Sequence, residues 1–143
     1  MTCTFFGNRD TPQEIEKCLY QTIIRLITQE GVDLFYVGTH GRFDRMVYHC
    51  LQKVKQQFPF IQYFVVLAYL PKEKEEFEYL WEETLYPEGL ERVPYRLAII
   101  KRNEWMLERA DFVITYTAHT QGGAGRFADL AEEKGKTVIS LKQ

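Results

Sequence analysis

The richest chemistry in this chain lies between Asp111 and Asp129. Residues 112–116 read as a buried strand ending at Tyr116, followed by Thr117, His119, Thr120 and Gln121. Gly122, Gly123 and Gly125 come next, with Ala124 among them and Arg126 behind, and a helix is expected to start near Gly125. A strand that passes through a glycine-rich turn into a helix leaves free backbone N–H groups at the positive end of the helix dipole. That is a cradle for phosphate or another anion. The reading it favours is a domain that holds a phosphate-bearing small molecule, a nucleotide derivative above all.

Two further loops have the same character. Gly7-Asn8-Arg9-Asp10 follows the first apolar run; its glycine permits close backbone approach, and its arginine offers a planar fork for phosphate or carboxylate. Gly38-Thr39-His40-Gly41-Arg42-Phe43-Asp44 follows the second run. Asp44 is expected to cap the following helix, in preference to facing a ribose hydroxyl. Each loop alone also serves plain strand-to-helix geometry. Three converging on one crevice point to a ligand site made of Gly7, Asn8, Arg9, Gly38, Thr39, His40, Gly41, Tyr116, His119, Gly122, Gly123, Ala124, Gly125 and Arg126. His40 and His119 sit on different loops without metal-ligand spacing or a clear third ligand, so hydrogen bonding is expected of them and no metal. His49 falls on a helix surface, and the scattered aromatics show no base-stacking platform.

The elements that must position these loops are strands at 2–6, 34–37, 61–67, 112–116 and 137–141. Most are continuous apolar runs, as in a parallel sheet covered on both faces. Thr11, Pro12 and Glu14 supply an N-cap, a first-turn proline and a capping-box acid for a first helix that Gly31 closes. Further helices are expected over 43–57, 95–109 and 126–134, the last ending at Gly135. The fold class is therefore α/β: a Rossmann-like three-layer sandwich with a five-stranded, mostly parallel sheet in the order 3-2-1-4-5. Ligands of such sheets bind at the carboxyl ends of the strands, here between the first and fourth. Residues 68–94 are too long for a simple connection. An amphipathic helix over 72–85 is expected there, with Phe77, Leu80, Trp81 and Leu85 inward, serving as a lid, a subunit contact or a cover for a sheet edge.

At 143 residues the chain makes one domain, 1–143, able to bury an ordinary core without disulfide or metal. A net charge of -2 argues against a broad electrostatic grip on nucleic acid. No apolar run approaches the ~20 residues of a membrane span, and no signal peptide is read at the N-terminus. Cys3, Cys18 and Cys50 are odd in number and lack C-x-x-C spacing, so buried free thiols and a cytoplasmic location are expected. No cofactor is implied. The apolar surroundings of Trp81 and Trp105 offer surface for a homo-dimer.

Taken together, Phe6-Gly7-Asn8-Arg9, Gly38-Thr39-His40-Gly41 with Phe43-Asp44, Arg102-Asn103 with Met106, and 111–116 followed by Gly122-Gly123-Ala124-Gly125 resemble the SLOG superfamily. This is the Rossmann-like group that contains DprA, the YpsA-like proteins and the Lonely Guy phosphoribohydrolases. The likeness extends over essentially the whole chain and is nearest to the uncharacterised YpsA-like branch, whose first loop usually reads Gly-His-Arg where this chain has Asn8. From the residues alone Arg102 is a solvent or local salt-bridge arginine; the resemblance implies a phosphate- or ribose-binding one. The phosphoribohydrolases carry P-G-G-x-G-T-x-x-E on the fourth-strand loop. Here Gly122, Gly123 and Gly125 match, while Gln121, Arg126 and Asp129 depart. Asp129 is one methylene shorter than the glutamate of that motif, and misplacement on this scale can cost ~100-fold in rate. The resemblance thus implies a nucleotide-binding module. The alternative is a phosphoribohydrolase-type enzyme cleaving the N-glycosidic bond of nucleoside monophosphates through Arg102 and Asp129, and whether the chain is an enzyme stays open.

Overall fold

The computed structural model describes residues 1–72, 77–117 and 123–141. Six strands among the described residues form one parallel sheet: β1 (Thr2–Gly7), β2 (Leu34–Val37), β3 (Gln62–Val66), β4 (Thr84–Leu85), β5 (Phe112–Tyr116) and β6 (Thr137–Ser140), in the order β4-β3-β2-β1-β5-β6. The five expected strands are all present in the expected order, and β4 is an addition at the edge. Among the described residues four α-helices connect them: α1 (Ile15–Glu30), α2 (Gly41–Gln57), α3 (Ala98–Arg109) and α4 (Gly123–Glu133).

The sheet is apolar on both faces because successive side chains point to opposite sides. Phe5 packs with α1 and α2 in one cluster around Leu19, Ile23, Val47 and Leu51. Its neighbour Phe6 points the other way, into a cluster with Met106, Leu107 and Phe127 from α3 and α4. The Phe6 and Phe127 rings stack with centroids 5.1 Å apart. Central strands therefore carry unbroken apolar runs, whereas edge strand β6 is exposed at both ends. Cys3 and Cys50 are buried free thiols, and Cys18 is half-buried.

The start of α1 differs from expectation. Thr11 does not cap the helix: it is fully buried, and its hydroxyl donates to the Asn8 carbonyl at 2.6 Å. Glu14 occupies the N-cap without a side-chain hydrogen bond, and the Pro12 and Gln13 carbonyls accept the Ile15 and Glu16 N–H groups in a preceding turn. The threonine pins the first loop in place of closing the helix. The other end is as expected, with Gly31 left-handed at φ 73°.

The 68–94 segment also departs from its pattern. No helix spans the described part of 72–85. A single 3-10 turn, Trp81–Glu83, runs into β4, which pairs with β3 through Val65–Thr84 and Val66–Leu85. Leu80 and Trp81 are 59% and 64% exposed, while Phe77 and Leu85 pack on opposite faces of the sheet. Tertiary hydrogen bonds override the helical spacing. The Glu83 carboxylate accepts the Tyr48 hydroxyl of α2 and the Tyr63 hydroxyl of β3, each at 2.6 Å, and the Leu80 N–H at 3.2 Å. Burial and this carboxylate together push both phenols up from their ordinary pKa. Trp105 is covered by Tyr36 at 5.0 Å and by the Arg109 guanidinium at 3.9 Å from its ring centroid.

Glu83 is thus the tie between the segment and the sheet. Glu83→Ala is expected to lower stability by about 2 kcal/mol, because two part-buried phenols lose a charged acceptor. In urea unfolding the Glu83→Ala and Tyr48→Phe effects should add to less than their sum.

Candidate functional site

The loops after β1 and β2 interlock at the carboxyl edge of the sheet. The Arg42 N–H donates to the Arg9 carbonyl at 3.0 Å, and the Asn8 N–H to the Tyr116 carbonyl at the end of β5, also at 3.0 Å. The glycines make this approach possible. A Cβ on Gly7 would fall 2.1 Å from the Phe43 ring, and one on Gly41, which stands at φ 89°, would meet the Arg9 Cα at 2.9 Å. Gly38 is wedged between two charges: a Cβ there would lie 2.8 Å from Asp44 Oδ2 and 3.2 Å from Arg102 Cζ. These glycines shape the crevice by packing.

The crevice has a volume of about 420 Å³ and lies at the switch point between β1 and β5. Its polar lining comprises Asn8, Arg9, Asp10, His40, Asp44, Arg102 and Asn103, with Gly123 and Ala124 at the start of α4. Phe5, Phe6, Ile99 and Met106 supply the apolar part. That size is at the lower end of small-molecule sites.

Arg102 organises this lining. It is 1% exposed, in contrast to the solvent arginine that the residues alone predict. Its Nη1 donates to the Val66 carbonyl at 2.9 Å and to Thr39 Oγ1 at 3.1 Å, and Nε donates to Asn103 Oδ1 at 2.8 Å. Nη2 approaches His40 Nδ1 at 3.4 Å, and Thr39 Oγ1 lies 3.1 Å from the same nitrogen. Because the guanidinium only donates, Nδ1 is the acceptor and the imidazole proton sits on Nε2. Burial first, then Arg102 and Arg9, hold the His40 pKa below its ordinary value, which keeps the ring neutral.

Asp44 supplies the opposite charge. Its Oδ2 accepts the His40 N–H at 3.0 Å from within the first turn of α2; the N-cap position falls to His40, because the helix begins at Gly41, and not to Asp44 as expected. It also lines the crevice. Burial raises its pKa from 3.8 to about 6, against the pull of Arg102 and the His40 hydrogen bond.

Of the residues expected at the site, Gly7, Asn8, Arg9, His40, Arg102, Gly123 and Ala124 line the crevice. Thr39 acts one step behind through Arg102, and Gly38 and Gly41 act through packing. Tyr116 contributes its carbonyl to the Asn8 N–H. Gly125 is buried in α4, while Arg126 and Asp129 are exposed there and do not reach the lining. His119 and Gly122 lie outside the described residues. Ile99, Asn103 and Met106 were not expected at the site, although they share one side of α3 with Arg102 by three- and four-residue spacing.

No protein-family model matches this sequence, and no curated protein matches it. Among solved structures, DNA processing protein A (DprA) from Streptococcus pneumoniae superposes with a TM-score of 0.70 at 16% identity, over 97% of this chain and 49% of that one. The likeness shows a shared Rossmann-like α/β fold with a mostly parallel sheet. This chain spans about half the length of that protein. No helix among the described residues is long and apolar enough to cross a membrane. No trio of His, Cys, Asp or Glu among them is placed to hold a metal ion.

The Asp44 shift has a definite sign. The folded chain holds this proton more tightly than the unfolded chain, so the ionised carboxylate costs stability fully above about pH 6 and not at all below pH 3.8. Asp44→Asn, which keeps an oxygen for the His40 N–H, is expected to be more stable than the parent at pH 8, by on the order of 3 kcal/mol. The gap should close as the pH falls below 4 in thermal melts.

Proposed function

We propose that this chain binds a nucleotide or a nucleotide-derived molecule carrying phosphate, within the crevice at the β1–β5 switch point. The observation that carries this reading is the meeting of Arg102, buried and held at Nε, Nη1 and Nη2, with exposed Arg9 and the start of α4 in one lining. Phosphate sits against the first amides of α4 and the Arg9 fork, where the helix dipole and a charge-assisted hydrogen bond act together. Asp44, with Asn8 and Asn103, faces the sugar, because a carboxylate accepts from hydroxyls and repels phosphate. Gly7 and Arg9 support placing the chain near the YpsA-like branch, and Asn8 departs from its pattern.

A thermal-shift panel of nucleoside mono- and diphosphates and ADP-ribose, on protein shown by mass spectrometry to be ligand-free, tests the reading. Saturation at about 100 times Kd adds roughly 2.7 kcal/mol, a rise of several degrees in Tm. Arg9→Ala should abolish that rise and leave the unliganded Tm unchanged, since this side chain is exposed. A flat response across the panel would sink the proposal.

A phosphoribohydrolase is the second reading, and one observation favours it in altered form. The carboxyl lining the crevice with a pKa near 6 is that of Asp44, while Asp129 stands outside. A carboxyl tuned toward neutrality in a cleft suits general-acid work or stabilisation of an oxocarbenium-like centre. Release of free base from nucleoside monophosphates, lost in Asp44→Asn, would make the protein an enzyme. Absence of release leaves the binding module.

A further inference from the structure

Beside crevice-lining His40 stands a pair of aromatic rings. The Tyr69 and Tyr95 rings stack with centroids 4.2 Å apart and an interplanar angle of 25°. Tyr69 also meets the crevice-lining His40 ring edge-on, at 6.3 Å and 76°. The two tyrosines are far apart in sequence: one follows β3, and the other opens the 3-10 turn Tyr95–Leu97 that feeds α3. Tyr95 stands one turn before Ile99, and Ile99, Arg102, Asn103 and Met106 all line the crevice.

Tyr95 is 77% exposed, more than any other large apolar or aromatic side chain among the described residues. Exposure of one aromatic means nothing by itself. The difference here is the mounting. The Tyr95 carbonyl accepts the Tyr69 hydroxyl at 2.9 Å and the Ala98 N–H, and Pro94 precedes it at φ -54° with its own carbonyl taken by the Leu97 N–H. One ring face is covered by Tyr69, and the backbone beneath is fixed. A rigid aromatic loses little conformational freedom when a ligand docks on it, so contact area converts efficiently into affinity.

We propose that Tyr69 and Tyr95 form the subsite for the planar base of the ligand, next to His40 at the rim of the crevice. This deepens the nucleotide reading and rests on it. The chemistry divides along the crevice. Arg9 and the start of α4 suit phosphate, Asp44 and the two asparagines suit ribose hydroxyls, and the aromatic pair suits a π face. Neutral His40, with Nε2 carrying its proton, offers a donor to a ring nitrogen or carbonyl beside that pair.

Calorimetric titration of the full chain with AMP, GMP and ribose 5-phosphate tests the subsite. The purine nucleotides are expected to bind on the order of 10-fold more tightly than ribose 5-phosphate, the scale of one base–aromatic stack. Tyr95→Ala should erase that advantage and leave ribose 5-phosphate binding unchanged. Tyr95→Trp should keep it and show indole fluorescence quenched by AMP. Equal affinity for AMP and ribose 5-phosphate in the parent chain would overturn the base subsite while the phosphate crevice stands. So would a Tyr95→Ala variant that binds AMP as the parent does, or one that weakens both probes alike. Binding of neither probe by the parent chain would overturn the crevice reading and this inference together. A Tyr95→Ala loss confined to a single-stranded oligonucleotide would assign the pair to nucleic acid and overturn the proposal.

Discussion

A guanidinium buried at the end of a parallel sheet has to be paid for by hydrogen bonds, and Arg102 imposes that constraint on everything around it. An uncompensated buried charge would cost several kcal/mol. Arg102 avoids this by drawing partners from three directions: the Val66 carbonyl at the end of β3, Thr39 and His40 after β2, and Asn103 on its own helix. The end of β3, the β2 loop and α3 are therefore held in one register. Gly38 must lack a side chain because it lies between this cation and Asp44. His40 must be neutral because its Nδ1 faces two groups that donate to it.

The same network sets the character of the crevice. Two arginines, one fixed and one exposed, stand beside a carboxyl that burial holds near pH 6. Such a carboxyl detracts from the stability of the isolated fold, and groups of that kind cluster where a ligand supplies what the protein withholds. The first loop is fastened at both flanks, by Thr11 on the Asn8 carbonyl and by Arg42 on the Arg9 carbonyl. Arg9 can thus present an exposed fork from a rigid base.

Strands and helices were legible wherever an element's own residues decide it. The apolar runs of β1, β2 and β5, the periodicity of α1 and α2, and Gly31 all carry local signals that the fold obeys. The misses have tertiary causes. Thr11 has the look of a helix cap, yet the nearby Asn8 carbonyl claims its hydroxyl. Residues 72–85 have a helical apolar period, but the free edge of β3 and the Tyr48 and Tyr63 hydroxyls recruit Thr84, Leu85 and Glu83. Arg102 alone reads as a surface cation, because nothing in its neighbours along the chain announces that Val66 and Thr39 wait across the crevice.

By itself the sequence determined the α/β class, the strand order and which loops gather at the carboxyl edge, because hydrophobic period and glycine placement act over a few residues. Tertiary structure alone decided which side chains from those loops face one another. It put Asp44 in the lining and left Asp129 outside, and it brought Tyr69 against Tyr95 across 26 positions of chain. A carboxylate's environment and a ring's stacking partner are set by what packs around them in space, and no local signal in the chain encodes that.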